Sequence, residues 1–159
     1  MSIIYDVPMV RQLDTNLCWH ASAEMIWRYW QEVTGKQGPM NSMLQRYAAN
    51  KGLPVSAIRL LAEKVGLTTI TPVPSPFCFN SAEIVENALR QFGPLWCGGN
   101  WYGASHVIVL TGIDTEQSVV HLNDPGGGGQ WRTESVTWFN LSLYSHIEAC
   151  VLCKDPKSY

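Results

Sequence analysis

The sequence predicts an α+β fold, and three observations carry the prediction. Amphipathic spacing and helix-end signals dominate the chain up to Pro94. From Leu95 the pattern changes to short apolar runs, "LWCGGN", "SHVIVLTGID", "SVVHLN", "ESVTWF" and "EACVLCK", separated by Gly, Asn and Asp. The 159 residues contain no internal repeat and no linker, which fits one domain spanning 1–159 with a core large enough to fold without metal or disulfide staples. Helices first and strands afterwards imply two packed layers.

The elements follow in order. Asn16 is placed to cap a helix from Leu17 to about Val33, because its side-chain oxygen can accept from a free first-turn N–H. Trp19, Ala23, Ile26, Trp27 and Trp30 then form one apolar stripe, with His20, Glu24, Arg28 and Gln31 on a polar face. Gly35, Gly38 and Pro39 end it. Shorter helices are expected from Asn41 to about Asn50 and from Pro54 to Val65, closed by Gly52 and Gly66. The prolines of "TTITPVPSPF" keep that stretch extended and out of the middle of a sheet. Asn80 and Glu83 resemble a capping box for a helix over Ser81 to Gln91, stopped by Gly93 and Pro94. Gly126 to Gly129 reads as a flexible loop, since it lacks the helix and Lys-Ser/Thr of a phosphate cradle.

Composition narrows the function. Charged residues make up 15% of the chain and the formal charge is −2, which argues against the basic face that nucleic acid or an anionic membrane requires and favours small or protein substrates. No apolar stretch approaches the ~20 residues needed to span a bilayer, and the N-terminus lacks a signal-peptide pattern, so a soluble protein is expected. Five cysteines at irregular spacings do not make a disulfide framework and suit reducing surroundings. Cys150 and Cys153 form C-x-x-C, but on a strand residues three apart point to opposite faces, and no second ligand pair completes a zinc site. Neither a metal nor a cofactor is expected.

Chemistry centres on "LDTNLCWHASAEMIW", residues 13–27. A free cysteine is by default a small buried hydrophobe. Cys18, however, stands where a helix begins, and the positive end of a helix together with a histidine favours a thiolate. His20 is about 200° around the same helix at ~100° per residue and faces away. His146 has no acid positioned by its own sequence. His106 opens the apolar run "SHVIVLTGID", and a hairpin whose turn centres near residue 115 sets it across from Asp124. In that register His121 falls near Val109 and finds no acid. A His–Asp pair from one hairpin is what a general base needs to hold one tautomer and rotamer. Asn123 is the adjacent alternative to Asp124, pointing to the other face of a regular strand. Gln12, six residues before Cys18, is within range to add its amide to the helix-start N–H groups as an oxyanion donor.

Together these residues resemble the papain-like cysteine proteases: a glutamine upstream of a helix-starting Cys-Trp, a distant histidine heading a strand, then an Asn or Asp at the end of the next strand. "GASHVIVLTGID" followed by "VVHLNDPGGG" looks like the compact bacterial members, including leader peptidases that cut after double glycine and papain-like effectors of plant pathogens. The resemblance extends from about Pro8 to near Leu152, with specific motifs at 12–19 and 103–126; His20 departs from the small residue found in many relatives. It implies a helical half whose nucleophile helix packs on a C-terminal antiparallel sheet, bringing Cys18 to His106. The implied roles are Cys18 as nucleophile, His106 as base and acid, Asp124 as its orienting group and Gln12 as an oxyanion donor. Trp19, Trp101 and Trp131 are candidates to narrow the cleft around a glycine in a protein substrate. The likeness to effectors implies a bacterial toxin or effector acting in a reducing cytoplasm, delivered without a classical signal peptide and held by a cognate immunity or inhibitor protein. A peptidoglycan amidase, a glutamine deamidase or transglutaminase, and a non-catalytic binding module are the competing functions.

Overall fold

The computed structural model describes residues 1–39, 54–70, 79–144 and 149–159. The helix expected at 41–50, most of the proline-rich stretch and His146 lie outside the described residues. In chain order the elements are β1 (Ser2–Ile4), α1 (Cys18–Thr34), a 3-10 turn (Val55–Ala57) leading into α2 (Ile58–Lys64), β2 (Leu67–Thr69), α3 (Ala82–Phe92), β3 (Leu95–Trp101), β4 (Ala104–Asp114), β5 (Val119–Asp124), β6 (Gln130–Ser135), α4 (Val136–Ser142) and β7 (Val151–Lys154). The strands form one sheet in the order β2-β7-β3-β4-β5-β6, with β1 added beside the far end of β4 at Gly112–Asp114. Every pairing is antiparallel, so the fold is α+β as expected.

Side-chain alternation buries both faces of the sheet. Trp96, Val107, Val109 and Leu152 pack against Trp19, Ala23, Ile26 and Trp27 of α1. Their strand neighbours Cys97, Ile108, Leu110 and Val151 pack against Val85 and Leu89 of α3 and Phe139 of α4. The core therefore has helices on both faces of the sheet, where two layers were expected.

Local sequence explains where elements begin. Ser81, and not Asn80, caps α3, its Oγ accepting from the Ile84 N–H at 3.2 Å. In "ESVTWF" the β-branched and aromatic residues suggest a strand, yet Ser135 accepts from the Trp138 N–H at 3.0 Å and opens α4 instead. Gly35 closes α1 in the left-handed conformation, its N–H bonded to the Gln31 carbonyl at 2.9 Å. Cys150 precedes β7, so the strand rule does not apply to it, and it packs in the same cluster as Cys153.

Helix α1 is enclosed more completely than a single stripe requires. His20, Ala21, Ser22 and Met25 are buried along with Trp19, Ala23, Ile26 and Trp27. His20 therefore lies inside, edge-on to the rings of Trp19 and Trp27 at 5.5 Å from each, and not on an exposed polar face. Two polar bonds tie the helix to the sheet: Ser22 Oγ donates to the Val107 carbonyl at 3.3 Å, and Trp96 Nε1 to the Trp19 carbonyl at 3.0 Å. Ala23, fully buried in the cluster against β4, leaves no room for a longer side chain. Ala23→Leu is expected to destabilise the fold by about 1–3 kcal/mol in urea unfolding, the usual cost of overpacking.

Candidate active site

The first turn of α1 has no side-chain cap. Leu17 occupies the cap position, and its N–H is tied back to the Asp14 carbonyl at 3.1 Å. Asn16 does not cap the helix: the helix starts at Cys18, which puts Asn16 one residue before the cap, with its N–H on Asp14 Oδ1 at 3.4 Å. The start of the helix, and with it the N–H of Cys18, is thus left for a group entering from outside. Thr15, Asn16, Cys18, Trp19, Trp96 and His106 are among the walls of a cleft of about 210 Å³ at this point.

His106 lies near the start of β4, opposite Gly99 of β3. Its Nε2 is 2.7 Å from Asp124 Oδ1, and it shares a cleft wall with Cys18, whose sulfur acts on the ring electrostatically. With Nε2–H on the carboxylate, Nδ1 is left for the sulfur. The hairpin delivers this geometry by a different register from the one expected. Asp114 pairs with Val119, which centres the turn between residues 116 and 117, and an irregularity between Leu110 and Gly112 shifts the ladder so that Val109 faces Asn123. Asp124 therefore reaches His106 diagonally and not from directly across. His121 sits opposite Gly112 instead of near Val109, on a separate cavity with Tyr5 and Trp131.

Asp124 is almost fully buried, and both its oxygens are engaged. Oδ1 accepts from His106 and from the Gly126 N–H at 2.8 Å; Oδ2 accepts from Arg132 Nε at 3.1 Å. The glycine run is a structured turn: Gly129 N–H bonds the Gly126 carbonyl at 3.0 Å, and Gly127, Gly128 and Gly129 have φ of 59°, 85° and 83°, a region that glycine enters without strain. It folds β6 back along β5. A Cβ on Gly126 would stand 3.1 Å from Asp124 Oδ1 and 3.4 Å from His106 Nε2, so glycine also keeps the pair clear. Asn123 points the other way, its Nδ2 donating to the Val7 carbonyl at 2.9 Å.

The remaining candidates are dispersed. Gln12 is held beside the Asp124-Pro125 corner by a bond from its N–H to the Pro125 carbonyl at 3.0 Å. Its amide donates to the Asp14 carbonyl at 3.0 Å, and its buried Oε1 has no hydrogen-bond partner among the described residues. Trp19 lines the cleft. Trp101 is in the core, its Nε1 on the Cys97 carbonyl at 3.1 Å and its ring stacked on Phe139, so it does not reach the cleft wall. Trp131 stands out from β6 with 75% exposure, against the cavity that holds His121. Sequence reading did not single out Arg132; its signal is the "GGGGQWR" turn, which sets Gln130 opposite Asp124 and Arg132 two residues on.

Burial pulls the His106 pKa down, but the hydrogen bonds and charges of Asp124 and Cys18 outweigh it and push the group up to about 9. Burial likewise raises Asp124, and this is overcome by His106, the Gly126 N–H and Arg132, which leave the carboxyl below its ordinary value. An imidazole wedged between a thiol and a carboxylate can take the thiol proton and hold the resulting charge. The other described cysteines are different in kind: burial raises Cys97, and pushes Cys150 up to about 12 and Cys153 up to about 11, as suits inert core thiols. Among the described residues no group of three or more His, Cys, Asp or Glu side chains is gathered to hold a metal ion.

The raised histidine predicts two titrations. By NMR, His106 is expected to lose its proton near pH 9, and Asp124→Ala is expected to bring that midpoint down. Because its folded pKa lies above the ordinary ~6.5, its contribution to stability is complete below about pH 6.5 and lost as pH rises through about 9.

Comparison with known proteins bears on the fold and the family. A crystal structure of a double glycine motif protease from an AMS/PCAT transporter, in complex with the leader peptide, superimposes with a TM-score of 0.55 at 17% identity, covering 94% of this chain and 91% of that one. At that identity the likeness establishes the fold. No curated protein matches the sequence. The family model described as "Papain-like cysteine protease AvrRpt2" matches residues 1–144. The chain is a cysteine protease of papain-like fold and belongs to the AvrRpt2 family of papain-like cysteine proteases.

Proposed function

We propose that residues 1–159 act as one endopeptidase domain in which Cys18, His106 and Asp124 form the catalytic triad and Gln12 completes the oxyanion site. The observation that carries this is the His106 ring, bonded to Asp124 at 2.7 Å and set beside Cys18 in the same cleft. With the thiol proton already held on His106, Cys18 Sγ adds to the scissile carbonyl as the thiolate. The oxyanion is met by the Cys18 N–H at the uncapped helix start, and by Gln12 once its amide turns from the Asp14 carbonyl. Collapse breaks the C–N bond, the amine leaves with the proton from His106, and a thioester remains. Water, deprotonated by the same imidazole, then attacks the thioester; the acid leaves and the proton stays on His106 beside the regenerated thiolate.

The substrate on this reading is a protein, with glycine before the cut bond. Support comes from the structural relative, a double glycine motif protease seen with a leader peptide, and from the small cleft of about 210 Å³ lined by Trp19. Trp131 is positioned to meet a substrate only well beyond the cut site. The resemblance of "GASHVIVLTGID" and "VVHLNDPGGG" to papain-like effectors of plant pathogens supports a role as a bacterial toxin or effector acting in a reducing cytoplasm, restrained by a cognate immunity or inhibitor protein. Among the described residues no helix is long and apolar enough to cross a membrane.

Wild type and Cys18→Ala, each incubated with a cell proteome and separately with purified cell wall, test the proposal by mass spectrometry. New protein termini are expected with wild type only, and His121→Ala is expected to cut at near wild-type rate. Release of cell-wall peptides or deamidation of glutamines without new termini would assign the site to an amidase or deamidase. In a peptide library, replacing the glycine before the cut bond by a bulky residue is expected to slow cleavage at least ~10-fold, in line with the 1–3 kcal/mol by which pockets discriminate size.

A further inference from the structure

The tip of the β3–β4 hairpin carries an unusual residue. Tyr102 and Gly103 form the turn with φ of 56° and 81°, a pair of left-handed conformations for which Asn-Gly is the ordinary sequence. A tyrosine in the first of these positions is a genuine outlier, so its surroundings must hold it. They do so on three sides. Its hydroxyl donates to Glu134 Oε1 at 3.1 Å, its ring lies 5.0 Å from that of Trp138, and the Arg132 guanidinium sits over its face at 3.9 Å. The other side of the same arginine places Nε 3.1 Å from Asp124 Oδ2.

We propose that Arg132, clamped between the Tyr102 ring and the Asp124 carboxylate, is a positioning residue for the protease reaction, fixing the orientation in which Asp124 holds His106. This rests on the assignment of Asp124 and His106 made above. A carboxylate has two equivalent oxygens and turns easily about its last bond. Here Oδ1 is taken by His106 and Gly126, while Oδ2 is held by Arg132. Asp124 has its side chain only 5% exposed, so without the arginine Oδ2 is buried with no partner of its own and the carboxylate is free to swing off the imidazole. The guanidinium is suited to the task because it is planar: its face stacks on the tyrosine while its edge donates to the carboxylate. Tyr102 thus restricts Arg132, Arg132 restricts Asp124, and Asp124 restricts His106.

The charged and titratable groups gathered around Asp124 are Cys18 from α1, His106 from β4, Arg132 and Glu134 from β6 and Tyr102 from the hairpin tip. Arg132 is the permanent cation of the set, so its removal acts on Asp124 in one direction. Losing the charge and losing the hydrogen bond both make the carboxyl easier to protonate.

The test compares wild type, Arg132→Ala, Arg132→Lys and Tyr102→Ala in peptide cleavage across pH, with the Asp124 carboxyl carbon followed by NMR in the same proteins. Arg132→Ala is expected to lower kcat about 10-fold or more with KM nearly unchanged, the signature of an interaction that acts in the chemical step. Its acid-side loss of activity and the Asp124 titration are both expected to move toward neutral pH. Arg132→Lys is expected to return the acid limb most of the way and kcat in part, and Tyr102→Ala to lower kcat less than Arg132→Ala does. Wild-type kcat in folded Arg132→Ala, or an Asp124 titration that does not move, overturns the proposal. So does a loss of activity that merely follows loss of folded protein by circular dichroism, with Arg132→Lys no better than Arg132→Ala. The NMR arm needs no turnover, so absence of cleavage by wild type itself would count against the protease assignment and leave the carboxylate clamp to be judged by titration.

Discussion

Everything in this molecule turns on one meeting: the first residue of a helix touches the start of a strand that follows it some ninety positions later. Cys18 and His106 belong to different layers of the fold, and neither has a local reason to find the other. The fit between α1 and the sheet brings them together. Buried tryptophans at 19, 27 and 96 pack in this cluster, and the Ser22 and Trp96 bonds set how far the helix slides along β4 and β3. A shift of one helical residue, ~1.5 Å along the axis, would displace the sulfur relative to the imidazole. The site therefore draws its accuracy from core packing at a distance from the chemistry.

The electrostatics extend that dependence outward. A buried carboxylate is costly unless its oxygens are satisfied. Asp124 meets this requirement with three donors from three places: an imidazole on β4, a backbone N–H in the glycine turn and a guanidinium on β6. The glycine turn performs two tasks at once, reversing the chain into β6 and leaving space for the His–Asp pair. Stability and reactivity are joined at this corner, since the groups that bury Asp124 safely are the groups that aim it.

Much of this was legible in the chain. Periodicity separated a helical half from a sheet half, and the Asn80–Glu83 pattern and the glycines placed α3 and the end of α1 to within a residue or two. The cysteine stood out because it stands where a helix begins, and the histidine because it opens an otherwise apolar run. What escaped was set by tertiary context. Ser135 converts a strand-like hexamer into helix α4 through a single capping bond. His20 looked solvent-facing because helical spacing shows one stripe, while α1 is covered on more than one side. The bulge in β4 has no sequence marker beyond Gly112, whose missing side chain lets β1 approach; a Cβ there would lie 2.5 Å from the Ile3 carbonyl. Trp101 gave the same signal as Trp19, and only packing distinguishes a core tryptophan from a cleft tryptophan. Arg132 became visible only once β5 and β6 were in register.

The active site depends most directly on the chemical state of one sulfur in the presence of one imidazole. The measurement is the rate at which iodoacetamide modifies each cysteine at neutral pH, read by mass spectrometry, in wild type and in His106→Ala. Cys18 is expected to react well ahead of the buried Cys97, Cys150 and Cys153, and to slow about 10²-fold when the imidazole is removed, the lower end of what a positioned base contributes. A Cys18 that reacts no faster than the core thiols, or at a rate indifferent to residue 106, would contradict the contact on which the site is built.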